Sequence, residues 1–182
     1  VLMVVDPRGA AASGTVSLVS RSGAPTRHVA VGLHPSALAV DGATAWVANA
    51  ASDTVSEIDI GAGRVRRTLR LRWGNLALYG AVPSALAVRD GVLYVGCGGD
   101  NALAEVDLSS GRVRGYRPTG YFPMALALSG DRAFVLNTKG NGSVRETLAG
   151  KPGNAHDFQG TVTVLDLKDD LAAATARVAR NN

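Results

Sequence analysis

The phrase PSALAVDGATAWVAN, residues 35–49, returns as PSALAVRDGVLYVG at 83–96 and again, more loosely, as PMALALSGDRAFVLN at 123–137. Self-similarity at a regular spacing marks an array of like units that bury their apolar surfaces on one another, so this repeat limits the fold before any other feature is read. Aligned on Pro35, Pro83 and Pro123, the copies place Trp46, Tyr94 and Phe134 eleven positions downstream, and Asn49, Cys97 and Asn137 fourteen downstream, without a gap. A second phrase follows each: DTVSEID at 53–59, NALAEVD at 101–107 and GTVTVLD at 160–166, with GTVSLVS at 14–20 as an earlier copy. Val16, Val55, Leu103 and Val162 then share one column, and Val19, Ile58, Val106 and Leu165 another.

Turn chemistry divides each unit into strands. ALAV (37–40) and AWVAN (45–49) are short apolar runs separated by Asp41-Gly42, and Asp90-Gly91 occupies the same place in the next copy, where glycine at positive φ lets the chain reverse. TVSEID makes a third strand, and Gly63 and Gly111 mark reversals into a fourth, RVRRTLRL or RVRGYRP, the most charged of the set. Inner strands packed on both faces call for Ala, Leu and Val, whereas an outer strand exposes an edge and is guarded by charge. Four antiparallel strands per unit of ~40 to 45 residues describe a β-propeller blade, and no helical periodicity precedes residue 169.

Composition agrees, with 46% hydrophobic residues, 19% charged residues and 22 glycines in 182 positions: many short elements joined by tight turns around a real core. The net charge of +4 is dispersed, and no aromatics interleave the one basic run, GRVRRTLRLR at 63–72, so nucleic acid is not an expected partner. That run, with Arg66, Arg67, Arg70 and Arg72, reads as a charge-guarded outer strand. No stretch reaches the ~18 apolar residues of a membrane helix. A single cysteine, Cys97, excludes an internal disulfide framework and a thiolate zinc cluster.

WVANAASDTVSEID and YVGCGGDNALAEVD resemble the YVTN β-propeller repeat, with an aromatic-Val-x-Asn strand followed by an N-T-V-x-V-I-D-like strand, over nearly the whole chain. The resemblance departs at Cys97, where the repeat has asparagine. The C-terminal part, FVLNTKGNGS through GTVTVLDLKDDLAAATARVARNN, resembles the last blade and exit helix of bacterial YncE-like proteins, in particular those that precede an alkaline-phosphatase-type phosphoesterase domain. The resemblance implies an exported protein, periplasmic or extracellular.

The expected architecture is therefore all-β, about three and a half four-stranded blades of a larger ring of about seven, within the ~4 to 8 that close a propeller, plus a short C-terminal helix. VLMVVD (1–6) is a second strand without a first, and the units run over about 1–31, 32–79, 80–119 and 120–168, the last with an insertion at 138–160, before a helix or linker at 169–182. An unclosed fan leaves an apolar blade face bare, so the expected partners are further blades or a neighbouring domain, with self-association through open faces as a lesser route.

Chemistry is sparse in the sequence. His28, His34 and His156 stand apart, and metal ligation wants converging groups, so no metal or cofactor is expected. No G-x-S-x-G elbow occurs, KGNGS at 139–143 lacks the phosphate-loop order, and Cys97 reads as a buried, inert thiol. Long loops carry function, so the contact candidates are Asn137, just before the insertion, and Lys139, Asn141, Arg145, Lys151, His156 and Asp157 within it, these six expected to project from one rim. Two functions stand: a non-catalytic binding or scaffold module presenting rim loops, or the propeller part of a phosphoesterase whose catalytic domain is not in this chain.

Overall fold

The reversals predicted from glycine and aspartate are where the chain turns: Gly42, Gly63, Gly91 and Gly111 all hold φ between +55° and +74°. Our computed structural model describes residues 13–71, 80–140 and 159–182, with the backbone of 2–6. Four antiparallel sheets follow one another. Blade 1 is β1 (Leu2–Asp6), β2 (Ser13–Val19) and β3 (Arg27–Leu33); blade 2 is β4 (Pro35–Asp41), β5 (Thr44–Asn49), β6 (Thr54–Asp59) and β7 (Arg64–Arg70). Blade 3 is β8 (Pro83–Arg89), β9 (Val92–Cys97), β10 (Ala102–Asp107) and β11 (Arg112–Pro118); blade 4 is β12 (Pro123–Ser129), β13 (Arg132–Asn137) and β14 (Thr161–Asp166). The chain closes on helix α1 (Leu171–Asn181).

Apolar side chains alternate between the two faces of each sheet, so every blade-to-blade interface is a core. Val16, Leu18, Val29 and Val31 of blade 1 meet Ala45, Val47 and Ile58 of blade 2. Trp46, Val55 and Leu69 pack on Leu93, Val95, Ala104 and Tyr116 of blade 3, whose Tyr94 and Leu103 in turn meet Ala133 and Val135 of blade 4. The burial gradient differs from the expected one in its first step. Second strands β5 and β9 are buried almost throughout, while the first strands β4 and β12 are largely open. The first strand is a sheet edge, whereas the second and third strands of blades 2 and 3 have a strand on either side and are buried together.

Each first strand carries the same irregularity, a bulge at Ser36, Ser84 and Met124, where the ladder skips one residue. A bulge re-aims the extra side chain. Ser36 Oγ donates to Pro83 O at 2.7 Å, and Ser84 Oγ donates to Pro123 O, so the re-aimed hydroxyl of one blade fastens the first strand of the next. Arginines of the outer strands reach forward in the same way: Arg27 donates to Ile60 O and Gly61 O at 2.8 and 2.9 Å, and Arg67 donates to Leu108 O. Arg117 donates to Asp166 O, Leu167 O and Asp169 O at 2.9–3.1 Å.

Blade 4 has no fourth strand among the described residues. After β14 the chain turns at Asp170, which caps α1 by accepting from Ala172 N and Ala173 N, and the helix lies along β11 instead. Thr175 Oγ1 accepts from Tyr116 N at 2.8 Å and so occupies part of that strand's outer edge. This makes β11 drier than β7, with Tyr116 and Arg117 buried, against the sequence expectation of a wet fourth strand. Gly115 makes the docking possible, because a Cβ there would stand 2.5 Å from Thr175 Oγ1 and 2.7 Å from Leu171 Cγ. Gly115→Val is therefore expected to lift α1 off β11 at a cost of about 1–3 kcal/mol. Hydrogen exchange should show lost protection over 171–181 while β8–β10 stay protected; unchanged helix protection would refute the docking role.

Candidate interaction surface

One end of the fan collects the connections that enter each first strand. Gly32-Leu33-His34-Pro35, Gly80-Ala81-Val82-Pro83 and Gly120-Tyr121-Phe122-Pro123 are three copies of one turn. The residue before each proline is left-handed: His34, Val82 and Phe122 hold φ of 52°, 48° and 56°. Such conformations persist only where surrounding bonds over-determine them. Here Ala50 N, Gly98 N and Thr138 N donate to the carbonyls of His34, Val82 and Phe122 at 2.9–3.1 Å. Asp53 Oδ1 accepts from Val82 N at 3.0 Å, and Asn101 Oδ1 accepts from Phe122 N at 3.2 Å.

The insertion leaves and re-enters at this end, and its feet are pinned together. Thr138 N and Lys139 N bond to Phe122 O and Tyr121 O, while Gly140, at φ 53°, lies so close to Gln159 O that a Cβ would strike it. Lys139 is exposed at this rim, as its position in the repeat implies. Asn137 is not on the surface. It is fully buried, its Nδ2 donating to Thr163 Oγ1 at 2.8 Å and Thr161 Oγ1 at 3.2 Å, which knits β13 to β14. Asn141, Arg145, Lys151, His156 and Asp157 lie outside the described residues. Asn49 performs the same knitting in blade 2, through Thr54 and Ser56.

Cys97 stands in the same column, wholly buried, its thiol pushed up chiefly by burial and further by the nearby Asp100 carboxylate. Asp100 is itself held above the usual carboxylate range, first by burial and then by Asp53. A raised folded-state value means that the ionised form is disfavoured by folding, so this contribution is unfavourable at neutral pH and fades as pH falls through the shifted range. Asp100→Asn is expected to raise stability at pH 7 by up to about 1 kcal/mol, small because the group is partly solvent-screened. The gain should shrink in urea titrations repeated at pH 4; a gain equal at both values would mean that charge is not its cause. Among the described residues, no three His, Cys, Asp or Glu side chains converge to hold a metal ion.

The forward face of blade 4 is the most exposed apolar surface described. Met124 and Leu136 are each 46% exposed, Val162 57% and Val164 52%. Their counterparts Val55 and Leu103, in the column of Val162, are fully buried by the following blade. Where blades 2 and 3 carry Glu57 and Glu105 on this face, each paired with an arginine at 2.6 Å, blade 4 carries Val164. Where they carry the latching Ser36 and Ser84, it carries Met124. Both substitutions are visible in the aligned sequence, but only the structure shows that the column faces forward.

No family model matches the chain, and no curated protein matches it. Solved structures do. The chain aligns with hydrazine synthase of Kuenenia stuttgartiensis at 22% identity and TM-score 0.65, over 91% of this chain and 45% of that one. The fold is that of a β-propeller. The computationally designed Ika4 protein aligns at 15% identity and TM-score 0.61, over 91% of this chain and 85% of the design. A putative 6-phosphogluconolactonase of Bacteroides uniformis aligns at 14% and TM-score 0.55, over 75% of this chain and 47% of that one. This propeller chain thus spans under half the length of the two natural proteins, and at these identities the likeness is one of fold alone.

Proposed function

We propose that the chain is a non-catalytic binding and scaffold module, a set of blades belonging to a larger β-propeller that presents its rim loops to a partner domain or ligand in an exported bacterial protein. The observation that carries this is the forward face of blade 4. It repeats the positions through which blades 2 and 3 bury on their successors, is more apolar than either, and is exposed. A face built for a neighbour supports a role in assembly, and a rim of backbone-pinned turns supports recognition rather than bond-breaking. The resemblance to the YVTN and YncE-like repeat supports export and a periplasmic or extracellular setting.

The other reading, the propeller part of a phosphoesterase, draws on the resemblance of the C-terminal stretch from Asn137 to Ser143 and from Gly160 onward. One preparation separates the two. The natural protein, isolated from its source cells and cross-linked, is expected to show links from Lys139 and from blade 4 to further blades or to a partner, and no turnover of a chromogenic phosphate ester with or without divalent metal. Metal-dependent hydrolysis would replace the first reading with the second, and a solitary monomer of this length without cross-links would overturn the scaffold role.

A further inference from the structure

The bare face of blade 4 is continuous with a bare edge. β14 pairs with β13 and, among the described residues, with no other strand, because α1 lies on β11. Edges of this kind are normally blunted by charge or proline. The sequence TVTVL along β14 has neither, and its Thr and Val residues favour extended structure. In blades 1, 2 and 3 the same edge is covered by β3, β7 and β11, which carry one, four and three arginines.

What blade 4 lacks is defined by what blade 2 has. Asp59, at the end of β6, lies opposite Arg64 and bonds Arg66 at 2.8 Å. Asp166, its counterpart at the end of β14, has its main-chain oxygen held by Arg117, while its carboxylate accepts from Lys168 N and is bonded to no arginine among the described residues. Asp131 and Asp169 lie at the same end of the blade, with Lys168 held by Asp131 at 2.6 Å. Above them Val164 and Val162 line the edge, where β6 has Glu57 and Val55 opposite Arg67 and Leu69. The open edge is therefore anionic at one end and aliphatic along its length.

We propose that the outer edge of β14 is a strand-addition site. It takes an extended segment antiparallel to β14, whose first residues are basic and meet Asp166, and whose later residues are aliphatic and cover Val164 and Val162. Ladder hydrogen bonds supply the affinity and alternate side chains the selectivity. The inference rests on the scaffold reading only in treating the chain as a binding module; a protein that binds partners solely through its rim fails the test below and keeps that reading.

A peptide patterned on the chain's own β7 is the probe: fluorescein-labelled residues 62–71 carrying Arg67→Val, AGRVRVTLRL, so that an aliphatic side chain meets Val164, titrated with the full chain and followed by anisotropy. Laid on β14 in the β6 register, it sets Arg64 against Asp166 and Leu69 against Val162. Saturable binding is expected. Methylating alternate backbone nitrogens of the peptide leaves the protein untouched but removes ladder donors, and in one of the two phases should weaken binding more than about ten-fold. Asp166→Asn should weaken it about two- to five-fold, as an exposed ion pair allows, while Asp107→Asn should not. Absent binding, binding indifferent to methylation in both phases, or binding indifferent to Asp166→Asn overturns the proposal. So does sedimentation showing that two copies pair through β14 and exclude the peptide.

Discussion

Replacing Arg117 with methionine is expected to destabilise the chain by about 3–5 kcal/mol, the range for stranding one partner of a buried ion pair. Arg117 and Glu105 are 4% and 6% exposed at the side chain and lie 2.6 Å apart. The remaining guanidinium nitrogens hold three carbonyls of the turn after β14, so the substitution strands a carboxylate and loosens blade 4 at once. Urea denaturation followed by tryptophan fluorescence measures the loss. Adding Glu105→Met should recover part of it, since the charge is then no longer buried alone. Arg66→Met provides the contrast: Arg66 is an exposed partner of Asp59, and its loss should stay within about 1 kcal/mol. Equal losses at Arg66 and Arg117 would mean that the blade 3 to blade 4 junction is open to water.

A second pair of substitutions compares one column in two settings. Leu103 is fully buried between blades 3 and 4, and Leu103→Ala is expected to cost about 2–5 kcal/mol. Val162 holds the same place one blade later, and Val162→Ala should change stability by no more than about 0.5 kcal/mol, as at other surface sites. The difference is read from urea midpoints of the two variants. A Val162→Ala loss comparable to that of Leu103→Ala would show that the forward face of blade 4 is covered in solution by another copy.

The strands were legible because their signals are local. The Asp-Gly reversals, the apolar runs and the columns through Val55 and Val106 placed the four-strand units of blades 2 and 3, and the Ala-rich stretch with its acidic start and basic end placed the C-terminal helix. What the sequence withheld is directional. The Ser36 and Ser84 column was visible, but that a bulge turns those hydroxyls onto the next blade's Pro83 and Pro123 carbonyls depends on register between sheets. Asn137 was a contact candidate beside the insertion, yet it is buried and its amide nitrogen is taken up within the sheet by Thr161 and Thr163. The triple Gly-x-x-Pro turn was present in the letters; its left-handed third residue was not, since a residue before proline ordinarily favours extended backbone. The open face of blade 4 was expected from the blade count, while its chemistry rests on Met124 and Val164, which look unremarkable until their columns are known to face forward.

The forward-reaching bonds have a consequence for how such chains change over generations. Serines of blades 2 and 3 and arginines of blades 1, 2 and 3 take hold of main-chain oxygens in the next blade, Pro83, Pro123, Leu108 and Leu167 among them, and every residue possesses such an oxygen. The grip is blind to the successor's side chains. Modules joined in this manner can drift in sequence, be duplicated, or be exchanged by recombination without re-evolving a matched seam, which accounts for neighbouring copies that keep their spacing while differing at most of their letters.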